Sequence, residues 1–165
     1  VKGVDMTTGS LGQGLSVANG MALASKMDSM GYRVYCILGD GELDEGQVWE
    51  AAMTASKYKL DNLCAIVDCN GLQLTGSTDE IKGLNIEDIE QKFRSFGFEI
   101  IKIDGHNMQE ILDAFEVAKN VKGKPVCIIA KTIKGKGVSY MENQVGWHGK
   151  APNEEQYNMA MDELV

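Results

Sequence analysis

Two short apolar runs, Arg33–Leu38 and Leu63–Val67, constrain this chain more than any other feature. Each is rich in apolar and β-branched residues and lacks in–out alternation. Each therefore reads as a strand covered on both faces. The first run leaves through Gly39-Asp40-Gly41, and the second through Asp68-Cys69-Asn70-Gly71. Between them, residues 46 to 59 read as a helix, with Trp49, Ala52 and Met53 as its buried stripe. Strand, helix and strand in that order make the two runs parallel neighbours joined by a right-handed crossover. Asp40 and Asn70 then emerge at one carboxyl edge, where open α/β sheets bind their ligands.

A carboxylate and a side-chain amide at such an edge suit magnesium. That ion takes hard oxygen ligands in octahedral geometry and shares them with substrate phosphates. Glycines on both sides of Asp40 let backbone approach the phosphates closely. The competing interpretation is two ordinary turns, with Asp40 as a turn residue and Asn70-Gly71 as a tight turn.

The rest of the chain extends the pattern. Phe98–Ile103 and Pro125–Ala130 read as two more strands. Ser10 is placed to cap a first helix carrying Leu11, Leu15, Ala18, Met21 and Ala22, and Gly31 lies beyond its end. Further helices are expected over residues 86–96, from Met108 to Ala118, and over 153–164, with residues 71–86 as a loop. Glu42, Asp44 and Glu45 oppose the positive end of the helix that follows them. Four strands alternating with helices give an α/β domain: three layers, a mostly parallel sheet, helices on both faces. At 165 residues one domain is expected. The formal charge of −8 argues against a nucleic-acid partner. Cysteines 36, 64, 69 and 127 form no CxxC pair, as in a reduced, cytoplasmic protein. No apolar run is long enough to span a membrane.

Three other segments invite a ligand. The helix start holds Gly9, Gly12 and Gly14, which would admit either a ligand or tight packing on the sheet. Lys131-Thr132-Ile133-Lys134-Gly135-Lys136-Gly137 alternates lysine and glycine at a strand's end, which suits an anion or a solvated basic loop. His148 in Trp147-His148-Gly149-Lys150 could move protons, or be a surface or capping histidine. His106, in a turn before a helix, reads as a capping or solvent-exposed residue.

The motifs Thr7-Thr8-Gly9-Ser10-Leu11-Gly12-Gln13-Gly14, Gly39-Asp40-Gly41-Glu42-Leu43-Asp44-Glu45-Gly46 with Asn70, and Trp147-His148-Gly149-Lys150 resemble those of transketolase. The resemblance covers nearly the whole chain and is closest to the amino-terminal subunit of split transketolases. It implies the thiamine-diphosphate-binding fold and an Mg²⁺-thiamine-diphosphate enzyme moving a two-carbon ketol unit from a ketose phosphate to an aldose phosphate. It implies that Asp40, Asn70 and the Leu72 carbonyl hold Mg²⁺. Gly39, Gly41, Ile133, Lys134 and His148 would meet the cofactor, with Gly9 and Leu11 against its aminopyrimidine. His148 and Glu45 are the catalytic candidates, Glu45 through a hydrogen-bonded chain of acids at a subunit interface. Ser10 stands where transketolases commonly have proline.

Transketolases carry a further stretch ahead of these motifs, and none of it matches here. Residues 1–165 are thus expected to be a single diphosphate- and Mg²⁺-binding domain lacking its N-terminal part. A C-terminal subunit with the pyrimidine-binding domain would complete the site, as a dimer of heterodimers. Another thiamine-diphosphate enzyme component, of 2-oxoacid dehydrogenase or deoxyxylulose-phosphate synthase type, is the alternative. The Glu42–Gly46 and Trp147–Lys150 runs argue against it. A non-catalytic cofactor-binding fragment is the other.

Overall fold

The computed structural model describes residues 2–164. Its centre is a parallel sheet of β1 (Val34–Gly39), β2 (Leu63–Cys69), β5 (Glu99–Asp104) and β6 (Val126–Lys131), in the order β1-β2-β6-β5. The helices are α1 (Gln13–Met27), α2 (Gly46–Lys57), α3 (Thr78–Lys82), α4 (Ile86–Ser95), α5 (Met108–Asn120) and α6 (Glu154–Glu163). Register aligns the strand ends. Gly39 pairs with Asp68, and Cys69 and Asp104 both pair with Lys131. The four exits therefore open along one edge.

Helices cover both faces of the sheet. On one, Leu15, Ala18 and Ala22 of α1, Val48, Ala52 and Ala55 of α2, and Ile89 and Phe93 of α4 pack on Leu38, Leu63, Ala65, Val67 and Ile129. On the other, Ala114 and Ala118 of α5 pack on Cys64, Val126 and Ile128. The central strands are buried on both faces, which is why their sequences carry no alternation. β1 does alternate in burial. Cys36 and Leu38 point into the core, whereas Ile37 on the opposite face is 75% exposed.

Three local expectations are corrected. Gly12, not Ser10, caps α1, because the chain turns there at φ 82°, a left-handed conformation that glycine adopts without strain. The buried stripe of α2 is Val48, Ala51, Ala52 and Ala55. Met53 is exposed, and Trp49 is half-buried at the side, donating from Nε1 to the Leu43 carbonyl at 2.9 Å. Residues 71–86 are not a plain loop. They hold the hairpin β3 (Leu72–Gln73) and β4 (Gly76–Ser77), then α3, whose Ser77 side chain accepts from the Glu80 amide. Two-residue strands and a five-residue helix are too short to leave a period in sequence.

Candidate functional site

Asp40 leaves β1 at the sheet edge with its side chain 2% exposed. Oδ1 accepts from the Gly41 amide at 2.8 Å and Oδ2 from the Gly71 amide at 2.6 Å. The carboxylate of one strand exit thus reaches the residue next to Asn70 on the other. Glycine at 41 has a steric cause as well, since a Cβ there would lie 2.7 Å from Gln73 Cβ on β3. Burial pushes the Asp40 carboxyl above its usual range. The Gly71 and Gly41 amides pull it back, and the neighbouring Asp68 charge adds to the rise.

Asn70 is set by its surroundings. Oδ1 accepts from the Leu72 amide at 3.0 Å, and Nδ2 donates to Asp68 Oδ1 at 3.4 Å. The Thr132 hydroxyl donates to that same Asp68 oxygen, and the Thr132 amide donates to the Cys69 carbonyl at 3.1 Å. The Asn70 amide is therefore held by Asp68 of β2 and by the Leu72 amide, and Asp68 is itself held by the segment after β6. Among the described residues, no lysine, arginine or histidine forms a salt bridge with Asp40 or Asp68. A buried carboxylate beside a second one, with no protein cation, fits a divalent ion. Among the described residues no cluster of three or more His, Cys, Asp or Glu side chains could hold a metal unaided. Such an ion would need amide, carbonyl and phosphate oxygens to complete its shell, and those are the ligands magnesium favours.

The segment after β6 runs into the basic loop. Lys134 is half-buried, and its Nζ lies 3.3 Å from Nδ1 of the exposed His148. An ammonium only donates, so in this contact Nδ1 is the acceptor. Ile133, half-buried, precedes Lys134, and its amide donates to His106 Nε2 at 2.7 Å. His106 is solvent-exposed, as expected, and in addition accepts this amide.

Glu42 does not oppose a helix dipole. It lies in a 3₁₀ turn, Gly41–Asp44, where Oε2 accepts from the Gly39 amide at 3.1 Å and Oε1 from the Gly12 amide at 2.8 Å. It ties the glycine-rich segment before α1 to the strand exit. Glu45 packs there too, since a Cβ on Gly12 would meet Glu45 Cβ at 2.8 Å. The Glu45 side chain is exposed and makes no cap to α2. Gly9 is exposed, and Leu11 is 57% exposed ahead of α1.

Asp68, Thr132 and Glu42 are the residues sequence reasoning missed. For Asp68 a signal existed: two residues before Asn70 on an extended strand, it faces the same side. Glu42 lies three residues after Gly39, a spacing that lets a side chain bond back to a backbone amide.

Residues 1–164 match the family model described as transketolase, thiamine diphosphate binding domain. The chain is 51% identical over 162 residues to the 6-deoxy-6-sulfo-D-fructose transketolase subunit SqwG of Clostridium sp. (strain MSTE9), covering 98% of this chain and 58% of that protein. It is 44% identical over 164 residues to an apulose-4-phosphate transketolase subunit of Phocaeicola vulgatus, covering 99% and 58%. It thus spans under two thirds of the length of these relatives. The transketolase structure from Campylobacter jejuni superposes with a TM-score of 0.89 at 37% identity, over 98% of this chain and 26% of that one. The chain belongs to the transketolase family, as its thiamine-diphosphate-binding domain.

Proposed function

We propose that the chain is the cofactor-anchoring part of an Mg²⁺-dependent transketolase. In this reading Asp40, the Asn70 side chain and the Leu72 carbonyl hold the ion. Lys134 and the Gly41 amide neutralise the diphosphate, with Gly39 and Ile133 against the cofactor. Gly9 and Leu11 meet its aminopyrimidine. Thiamine diphosphate, when bound, supplies the carbanion chemistry that carries a two-carbon ketol unit from a ketose phosphate to an aldose phosphate. His148 meets the reacting end and moves protons there, and Glu45 faces the interface through which two active sites communicate.

One observation carries the reading. A 2%-exposed Asp40 carboxylate lies beside Asp68 with no salt bridge to a protein cation among the described residues, and its Oδ2 accepts from the amide adjoining Asn70. Structure of this kind has a cost without a metal, because a buried charge is stable only when paired. A metal–diphosphate ligand meets that requirement at the edge where α/β sheets bind ligands.

The partner is a C-terminal transketolase subunit carrying the pyrimidine-binding domain, and the assembly is a dimer of heterodimers. The substrates are sugar phosphates. The relatives' names add 6-deoxy-6-sulfo-D-fructose and apulose 4-phosphate to the ketoses worth testing. The compartment is the cytoplasm, in keeping with four buried, unpaired cysteines. No helix among the described residues is long and apolar enough to cross a membrane. The test is calorimetric titration of thiamine diphosphate with Mg²⁺ and again with chelator, then ketol transfer from xylulose 5-phosphate to ribose 5-phosphate with the partner added. Binding that ignores Mg²⁺ overturns the reading.

A further inference from the structure

The segment Lys131–Lys134 leaves β6 between two other strand exits and is tied to both. On the β2 side, the Thr132 amide donates to the Cys69 carbonyl at 3.1 Å, and the Thr132 hydroxyl donates to Asp68. On the β5 side, the Gly105 amide donates to the Lys131 carbonyl at 2.8 Å, and the Ile133 amide donates to His106 Nε2 at 2.7 Å. Beyond Ile133 the loop is held to itself and to the turn that follows: the Lys136 amide donates to the Ile133 carbonyl at 3.2 Å and the Asn143 amide to the Lys134 carbonyl at 3.0 Å, with Gly135 at φ 73°. His106 ties the β5 exit to the residue immediately before Lys134.

The turn that carries His106 is itself constrained. The His106 amide donates to Asp104 Oδ1 at 2.9 Å, and the Asp104 amide donates to Glu110 Oε2 at 2.8 Å. Gly105 lies so close to the segment that a Cβ would stand 2.5 Å from Thr132 Cγ2 and 3.2 Å from both Ala130 Cβ and the Lys131 carbonyl oxygen. This close approach brings the imidazole within reach of the Ile133 amide. His106 also borders a cleft of about 740 Å³ that Ile133 and Lys136 help to line.

We propose that His106 is a positioning residue of the cofactor loop. By accepting the Ile133 amide it fixes the turn that presents Lys134, and through Lys134 His148, to the diphosphate. This rests on the functional reading above for the identity of the ligand, but the hydrogen bond itself does not depend on it. Gln carries an acceptor oxygen at the reach of Nε2, so the interaction separates from side-chain bulk: His106→Ala removes it and His106→Gln keeps it.

The experiment has two arms, both on the intact protein. The first follows hydrogen exchange of the peptide spanning residues 132–134. His106→Ala is expected to speed its exchange roughly 3- to 10-fold, the loss of one net hydrogen bond, while His106→Gln stays within about twofold of wild type. The second measures thiamine diphosphate affinity with Mg²⁺ present. His106→Ala is expected to weaken it by the same roughly 3- to 10-fold, again with rescue by His106→Gln. Exchange unchanged in His106→Ala, or equal losses in both variants, overturns the proposal. If wild type shows no Mg²⁺-dependent binding, the functional reading fails, and the exchange arm alone decides whether His106 holds the loop.

Discussion

Lys134 Nζ lies 3.3 Å from His148 Nδ1, which joins two residues 14 positions apart into one polar pair. The lysine donates, so Nδ1 accepts and Nε2 is the ring nitrogen that the pair leaves unengaged. In the proposed site the pair would divide its labour. An ammonium is a fixed point charge suited to a diphosphate, whereas an imidazole exchanges protons near neutral pH. His148→Ala is therefore expected to lower kcat about 100-fold and to weaken thiamine diphosphate binding far less. Lys134→Ala is expected to act on binding first. Steady-state kinetics of the assembled enzyme, beside calorimetry, checks both. Equal loss of turnover and affinity in His148→Ala would reassign that residue to anchoring.

Asp40→Ala should abolish Mg²⁺-dependent cofactor binding and leave the fold intact. Two opposing effects act on stability. The variant leaves the Gly41 and Gly71 amides without their acceptor, a cost of about 1–3 kcal/mol for each that stays buried. It also removes a buried carboxylate disfavoured by its burial and by the Asp68 charge. The metal-free melting temperature is expected to shift by only a few degrees. The rise that Mg²⁺ and thiamine diphosphate give to wild type should be missing. Thermal melts with and without both ligands measure it, and a ligand-induced rise that persists in the variant counts against the site.

In the proposed metal site, Asp68 would orient Asn70 rather than ligate the ion. It accepts from the Asn70 side-chain amide, which directs the Asn70 oxygen the other way, and from the Thr132 hydroxyl. Groups that hold a metal ligand in place usually carry 10- to 100-fold of metal affinity. Asp68→Ala is expected to weaken Mg²⁺ about 10-fold or more, measured as the Mg²⁺ concentration that half-restores cofactor binding. Thr132→Val should show a smaller loss in the same direction. No change in either variant would mean that Asn70 needs no orienting partner.

The strands were legible because burial on both faces leaves continuous apolar runs, and β2 and β6 have that burial. The same inference fails for β1, where Ile37 is as apolar as its neighbours yet 75% exposed. Hydrophobicity records a tendency to be covered, not which element does the covering. Asp40, Asn70 and the lysine–glycine segment were legible because strand exits are predictable once the strands are. Glu42 and His106 were not. Glu42 reaches an amide 30 residues away and His106 one 27 residues away. Such bonds follow from how loops converge at the sheet edge, and they leave no period or composition behind. Residues 72–82 failed for a different reason, since elements of two to five residues fall below the length at which periodicity registers.

Glycine at 12 is expected to be irreplaceable for two separate reasons. Its φ is 82°, and a Cβ would stand 2.8 Å from Glu45 Cβ. Its amide also donates to Glu42, which holds the segment to β1. Gly12→Ala should cost on the order of 1–3 kcal/mol through the left-handed backbone alone, read as a lowered denaturation midpoint. Glu42→Ala frees both amides and should loosen residues 8–12 in hydrogen exchange while leaving α5 and β5 protected. Uniform loosening across the chain would show instead that Glu42 supports the global fold.

The buried thiols give the stability curve a defined alkaline side. Burial pushes Cys36 up to about 11 and Cys64 up to about 12, with Glu42 adding to the rise at Cys36 and Arg33 opposing it at Cys64. Cys127, wholly buried, is raised as well. A thiol raised in the fold favours the protonated form there. Its stabilising contribution is therefore complete below the unfolded value, about 8.5, and is lost as pH climbs through the folded values. The native protein should resist iodoacetamide at pH 8, where a thiol of pKa about 11 is only about one part in a thousand thiolate. Adding guanidinium should let all four cysteines react within the time an ordinary thiol needs. Cys64→Ala should flatten part of the fall in melting temperature between about pH 8.5 and 11, when wild type and variant are compared over the same range. Rapid labelling of the native chain at pH 8, or an unchanged alkaline slope in the variant, would mean that these strands open far more readily than their burial implies.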